Sequence, residues 1–365
     1  MKIICNKSDL LKAVNISLKA VPVKTTMSIL ECIVIDATAL EISLISNDME
    51  LGIETKLKGE IIEKGKIALE AKFLSEIIRK LPDSEVTIET DDKYNATIRC
   101  EKSVLTIPGK DADDFSYLPY IERNQSISLS QFTLKEIIRQ TIFSIGDNES
   151  NKVMTGELFE VTDDNLRVVS LDRYRVSIRN VKLSKKYNDI KVIVPGKTLN
   201  EISKILSGDM ESQINIFFSQ NHILFEFDDT IVLSRLIEGE FFKINQMLTK
   251  DYSSKITVNK RDFLECIDRA TLLVKEGNKK PVIIDIKDGS MNINIVSTFG
   301  KMNEDIDIFK EGNDIKIGFD PKFLMDALRV IDNENVSMFF MNAKAPCTIR
   351  DEEGSYIYLI LPVNY

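Results

Sequence analysis

One opening phrase occurs three times along the 365-residue chain: "IICNKSDLLKAV" from Ile3, "ISLSQFTLKEII" from Ile127 and "ITVNKRDFLECI" from Ile256. The copies start 124 and 129 residues apart. Each reads as a short strand, a helix-capping residue (Asn6, Ser130, Asn259), and a helix whose apolar face is set by Leu10/Val14, Leu134/Ile138 or Phe263/Ile267. A second phrase keeps step: "IALEAKFLSEIIRKL" from Ile67, "VIVPGKTLNEISKIL" from Val192 and "IKIGFDPKFLMDALRVI" from Ile315. Its helix positions Phe73, Leu199 and Phe323 lie 126 and 124 residues apart. Two phrases sharing one period require three copies of a single unit, each with two helices.

Between the helices, segments such as "ECIVIDATALEISLIS", "LFEVTDDNLRVVSLD" and "VIIDIKDGSMNINIVS" alternate or run apolar and turn at polar tripeptides or tetrapeptides, as antiparallel hairpins do. Each unit is therefore expected to be α+β, a sheet covered on one face by two helices. Polar interruptions at 122–126 and 249–254 set the expected domains at 1–123, 124–252 and 253–365. Helices are predicted over 8–21, 72–81, 132–145, 197–206, 260–274 and 321–330.

With 43% hydrophobic residues the chain can build several cores. Five scattered cysteines (Cys5, Cys32, Cys100, Cys266, Cys347) never form CxxC, which argues against a disulfide framework or a zinc site. "MKIICNKSDLL" turns polar at Asn6, unlike a secretory leader, and no apolar stretch is long enough for a membrane helix; a cytoplasmic protein without membrane partners is expected. The closing "SYIYLILPVNY" carries eight apolar or aromatic residues, Tyr356 to Val363, which read either as a buried last strand or as the lining of a binding site.

The net charge of −9 argues against a surface that coats nucleic acid indiscriminately, but the charge is segregated. The six predicted helices hold 14 basic and 8 acidic residues, a surplus of +6 that leaves −15 for the rest. Helices aligned on one side would offer a basic face able to track phosphates without reading sequence. Lysine placed on helices for solubility would give the same count.

Other motifs fail on their own chemistry. "PGKT" at 195–198 resembles the end of a phosphate loop but has Lys191 where that loop needs glycine. "DADDF" at 111–115 puts Phe115 and Ser116 where a calcium loop needs an oxygen ligand and a glycine. The lone His222 has no GxSxG partner, and the paired acids (Asp91-Asp92, Asp163-Asp164, Asp228-Asp229, Glu352-Glu353) fall in predicted turns. No catalytic residue, metal ligand or cofactor is assigned, and an enzyme is not expected.

The triple repeat, the helix charges and an ordered series of short motifs resemble the bacterial sliding clamps, the beta subunits of DNA polymerase III. The motifs are "SNDMELGI" (46–53), "ADDFSYLP" (112–119), "GELFEV" (156–161), "SLDRYRVSI" (170–178), "VIVPGK" (192–197), "LIEGEF" (236–241) and the closing "YLILPVNY", and together they cover the chain. The resemblance implies a DNA clamp fold of three repeated domains, antiparallel sheets outside and helices inside. It implies a ring-shaped homodimer around double-stranded DNA, without sequence preference. The cations it directs toward DNA are Lys12, Lys19, Lys24, Lys72, Arg79, Lys80, Lys135, Arg139, Lys197, Lys204, Arg269, Lys322 and Arg329. Domain 1 of one subunit would meet domain 3 of the other through Leu105 and Ile107 on one edge and Leu272 and Leu273 on the other.

The resemblance further implies a cleft between domains 2 and 3 that takes short linear motifs from the replicative polymerase, the clamp loader and repair proteins. The matching positions are Met154, Leu171, Arg173, Tyr174, Arg175, Val176, Phe242, Met247, Pro346, Leu359, Ile360, Leu361, Pro362, Val363, Asn364 and Tyr365. Three departures from the family pattern fall at this cleft. Asp172-Arg173-Tyr174-Arg175 stands for the common Asp-Gly-His-Arg, "FFKI" (241–244) for "FPDY", and Asn364 for an arginine. A cleft that ranks partner motifs differently is expected. The competing expectation is a three-repeat protein-binding scaffold that does not load onto DNA.

Overall fold

The same three-part device starts every repeat. The first strands, Lys2–Asn6, Gln125–Ser130 and Ser254–Asn259, lead straight into helices α1 (Lys7–Ser17), α3 (Gln131–Thr141) and α5 (Lys260–Thr271). The second-phrase helices are α2 (Ala71–Lys80), α4 (Gly196–Ile205) and α6 (Pro321–Val330). The computed structural model describes residues 1–147, 150–248, 250–274 and 280–365. Thr249, at the head of the second expected boundary, lies outside these.

All six predicted helices are present; α1 and α3 run on as short 3-10 turns, Leu18–Ala20 and Ile142–Ser144. Capping is less uniform than the sequence suggests. Asn259 Oδ1 accepts from the amides of Arg261 and Asp262, and Ser130 Oγ accepts from Thr133 N, but the Asn6 side chain caps nothing. What all three share is a backbone bond: the first helical N–H of α1, α3 and α5 donates to the carbonyl of Ser84, Ser212 and Glu334 respectively. Each acceptor lies beside the neighbouring strand, so the sheet satisfies a helix donor that a side chain would otherwise have to take.

By contacts the chain divides into two compact units, 1–133 with 201–236, and 134–200 with 237–365. The first holds a five-stranded and an eight-stranded sheet; the second holds one of ten strands. The strand pairings of the described residues are antiparallel, from the first-repeat hairpin of Ile42–Asn47 with Leu51–Leu57 to the long hairpin of Gly156–Leu171 with Arg175–Pro195. The helices press apolar stripes on these sheets: Leu10, Ala13 and Val14 of α1 and Leu74 and Ile78 of α2 share a core with Ile3, Val86 and Ile98. In the last repeat Phe263 and Ile267 of α5 and Leu324 and Leu328 of α6 do the same with Ile256, Val336 and Ile349. Burial of such side chains at roughly 1.5–3 kcal/mol each supplies most of the stabilisation.

All five cysteines are buried and free. Among the described residues no helix is long and apolar enough to cross a membrane, and no cluster of acidic, histidine or cysteine side chains could hold a metal ion.

Candidate functional site

The turn joining Gly156–Leu171 to Arg175–Pro195 is built by one aspartate. Asp172 Oδ1 accepts from the amides of Tyr174 at 2.7 Å and Arg175 at 3.0 Å, and the Asp172 amide donates to the Arg175 carbonyl. Arg175, only 8% exposed, points inward. Its guanidinium donates to Asp172 Oδ2 (3.0 Å), Asp326 Oδ2 (2.6 Å) and the Phe143 carbonyl (2.5 Å), and lies over the rings of Phe323 (4.6 Å) and Phe143 (5.5 Å). A buried cation with two carboxylates and a carbonyl is compensated, and it ties the strand, the 3-10 turn after α3 and α6 together. Arg175 therefore supports the site from beneath instead of lining it.

Next to it, Tyr174 stays half exposed and stacks on Phe323, 5.8 Å between centroids at 23°. The carboxyl-terminal segment is tied to the same place: the Leu361 amide donates to the Tyr174 carbonyl and the Val363 amide to the Gly318 carbonyl, both at 2.8 Å. Gly318 is there because a Cβ would sit 2.7 Å from the Tyr365 ring and 2.9 Å from the Val363 carbonyl. Tyr174, Phe323, Val363 and Pro281 line a pocket of about 150 Å³ with Lys280 and Asp320 at its polar edge.

Beyond the turn, Leu171, Val176 and Leu359 are buried in one cluster with Phe241 and Ile244, and Met154 and Leu361 pack against it half-buried. Phe242 and Met247 stand exposed on the segment that crosses this cluster, and Arg173, Asn364 and Tyr365 are exposed as well. Ile360 goes the other way: it pairs with Arg175 and Cys347 across the sheet and its side chain joins the last repeat's core. Alternation along a strand forces this, since Leu359 already faces the cluster. Pro346 and Pro362 are half-buried. Asp320, Phe323, Pro281 and Lys280 were not legible from sequence; Phe323 looked like one more core position of its helix.

Of the cations expected to face DNA, Lys12, Lys24, Lys72, Arg79, Lys80, Lys197, Lys204, Arg269, Lys322 and Arg329 are exposed, and Lys19 and Lys135 half-buried. Arg139 is spoken for by Glu136 (2.5 Å), Asp332 (2.7 Å) and the Val330 carbonyl (3.2 Å), and it keeps its proton more tightly than usual, chiefly through Glu136.

Repeats are joined at strand edges. The last strand of the second repeat, Thr230–Arg235, pairs with Leu51–Leu57 of the first. The last strand of the third, Tyr356–Ile360, pairs with the start of Arg175–Pro195 in the second. The last strand of the first, Ser103–Pro108, has a neighbour on one side only among the described residues, and so has the 300–307 part of Gly300–Gly312. Around these edges apolar groups are uncovered: Phe73 49%, Val104 55%, Leu272 80% and Phe299 52% exposed. Leu105 and Leu273 are half-buried, while Ile107 lies in the first repeat's core.

Three repeats of antiparallel sheet with paired helices, joined repeat to repeat through sheet edges, define the three-domain sliding-clamp fold. The chain matches the DNA polymerase III beta subunit in three consecutive parts: the N-terminal domain over residues 1–119, the central domain over 128–243 and the C-terminal domain over 245–364. It is 34% identical over 381 residues to the beta sliding clamp of Bacillus subtilis, covering 100% of both chains. The crystal structure of the B. subtilis clamp superposes with a TM-score of 0.96 at 33% identity, covering 100% of this chain and 99% of that one. A crystal structure described as a putative DNA polymerase III beta subunit of Eubacterium rectale is 62% identical, with a TM-score of 0.97 and full coverage of both chains. This chain belongs to the DNA polymerase III beta subunit family and is a DNA sliding clamp, a non-enzymatic processivity factor of DNA replication.

Proposed function

We propose that two copies close head to tail into a ring around duplex DNA and tether the replicative polymerase, the clamp loader and repair proteins through the site around Tyr174. The observation that carries this is the unmatched pair of edges. The repeat calls for three seams in which a last strand joins the next repeat's sheet; one chain supplies two of them, and its open edges would be the two halves of the third. A second copy would satisfy both edges at once, which removes an aggregation hazard and closes the symmetry.

The covered seam gives a template for the open one. Phe143 follows Ser130 by 13 residues as Leu272 follows Asn259, and Phe323 matches Phe73. Phe143 and Phe323 flank Arg175, with Tyr358 5.7 Å from Phe143. By analogy Leu272 of one copy would meet Phe73 and Leu105 of the other, with Leu273 and Val104 beside them. Ile107 would act only through its backbone and its own core.

On this reading the domains run 1–123, 124–252 and 253–365, the exposed helix cations face the DNA, and the protein works in the cytoplasm. The partner site would take a short peptide with apolar anchors, its rim recharged by Arg173. Sedimentation analysis with loading on nicked circular DNA tests the ring: a dimer retained on circles and released by linearisation is expected. A folded monomer that never loads would leave a scaffold. Anisotropy with a labelled peptide, glutamine-led with a leucine-phenylalanine end, tests the site, and binding should vanish when 362–365 are removed.

A further inference from the structure

Helix cations are not equally available in the first and third repeats. At the first repeat, α1, α2 and the end of α4 frame a basin of about 810 Å³ lined by Lys7, Lys12, Lys19, Arg79 and Lys204, with Asp83 as its only acid. Lys204 is paired with Glu201 at 2.7 Å, whereas Lys7, Lys12, Lys19 and Arg79 have no ion-pair partner among the described residues. In the third repeat exposed Lys322 has no ion-pair partner among the described residues, but the other helix cations are engaged. There Arg261 pairs with Glu265 (2.8 Å), Arg329 with Asp268 (3.6 Å), and Arg269 with Glu304 on the adjoining strand. Lys260 donates to the Ile331 carbonyl at 2.8 Å. Glu304 is held below the usual carboxylate range, first by its hydrogen bond to Arg269.

We propose that the first-repeat basin contributes more of the contact with the duplex backbone than the helices of the third repeat do. The inference rests on the clamp reading above. A cation already paired must give up that partner, or share it, before it can replace a phosphate counterion, while a solvated lysine releases only small ions. Lys12 on α1 and Lys19 on the 3-10 turn that continues it both line the basin, roughly 10 Å apart along the axis, the rise of about three successive phosphates of a strand. Arg79 faces them across the basin from α2, and its fork suits a phosphate.

The test is equilibrium binding of the full-length protein to a labelled 30-base-pair duplex, with affinity followed against salt. The variants are K12A/K19A/R79A and, with the same formal charge removed, R261A/R269A/R329A. All six side chains are exposed or half-buried, and sedimentation and melting controls confirm that folding and assembly are kept. The basin triple should flatten the log–log salt slope by about 2.7, at about 0.9 for each phosphate no longer neutralised, and the third-repeat triple by under about 1. Equal flattening, or the larger effect from the third repeat, overturns the proposal and leaves DNA binding intact. Wild-type protein without salt-dependent binding to the duplex overturns this inference, while retention on nicked circles separately tests the ring.

Discussion

The seam between the second and third repeats and the edge of the first repeat are built from the same sequence pattern and end in opposite states. In the seam, Tyr356–Ile360 is hydrogen-bonded to its neighbour repeat, and Phe323 is buried to 8% beside a fully paired Arg175. At the edge, Ser103–Pro108 has one partner strand and the equivalent aromatic, Phe73, is 49% exposed. The helix position is apolar in both, so the difference lies in what the chain brings to cover it. A repeated unit that always needs a successor leaves one edge and one acceptor without a partner strand, and in the proposed ring a second copy would supply both.

The largest expected effect breaks the covered seam. Arg175→Ala strips the partner from Asp172 and Asp326 and should cost about 3–5 kcal/mol in chemical unfolding, as for other buried pairs cut on one side. A loss below about 1 kcal/mol would mean that Arg175 contributes little and that backbone pairing and apolar burial hold the seam. Breaking the open edge comes next. Leu272→Ala should remove about 1.5 kcal/mol at each of two seams, about a hundredfold in dimer dissociation, with the monomer's melting unchanged because the side chain is 80% exposed. Unchanged sedimentation would remove Leu272 from the contact.

A third prediction concerns the strand that leads into the covered seam. Glu157 is fully buried, both of its carboxyl oxygens lack a good hydrogen bond, and the nearby Thr141 hydroxyl donates to the Ile137 carbonyl at 2.7 Å. Burial pushes its pKa up from 4.5 to about 8. The unfolded chain releases this proton near 4.5 and the folded chain only near 8, so stability falls as pH rises through that window. Glu157→Gln should flatten that fall and melt higher than wild type at pH 8. An unaltered pH profile would show that the carboxyl is hydrated. The smallest effect sharpens the peptide site: Tyr174→Ala removes a stack worth about 0.5–1.5 kcal/mol and should weaken peptide binding by tenfold or less, without altering the dimer.

By itself the sequence determined the repeat, the order of strands and helices and the apolar faces, because those follow from local periods of about two and 3.6 residues. Its helix spans agree with the structure to within a residue or two, apart from 3-10 or turn extensions at the ends of α1, α3 and α5. Sidedness at a junction was beyond it. Arg175 and Ile360 were expected in the cleft, yet the Arg175 side chain is an internal strut and that of Ile360 is core, and Arg139, expected toward DNA, is held by two acids. Only the tertiary structure decided these, and with them which cations keep their charge unpaired and which strand edges stay open. The contacts of Arg175 with Asp326, of Arg139 with Asp332 and of Ile360 with Arg175 across the sheet join groups more than a hundred residues apart, which no local pattern records.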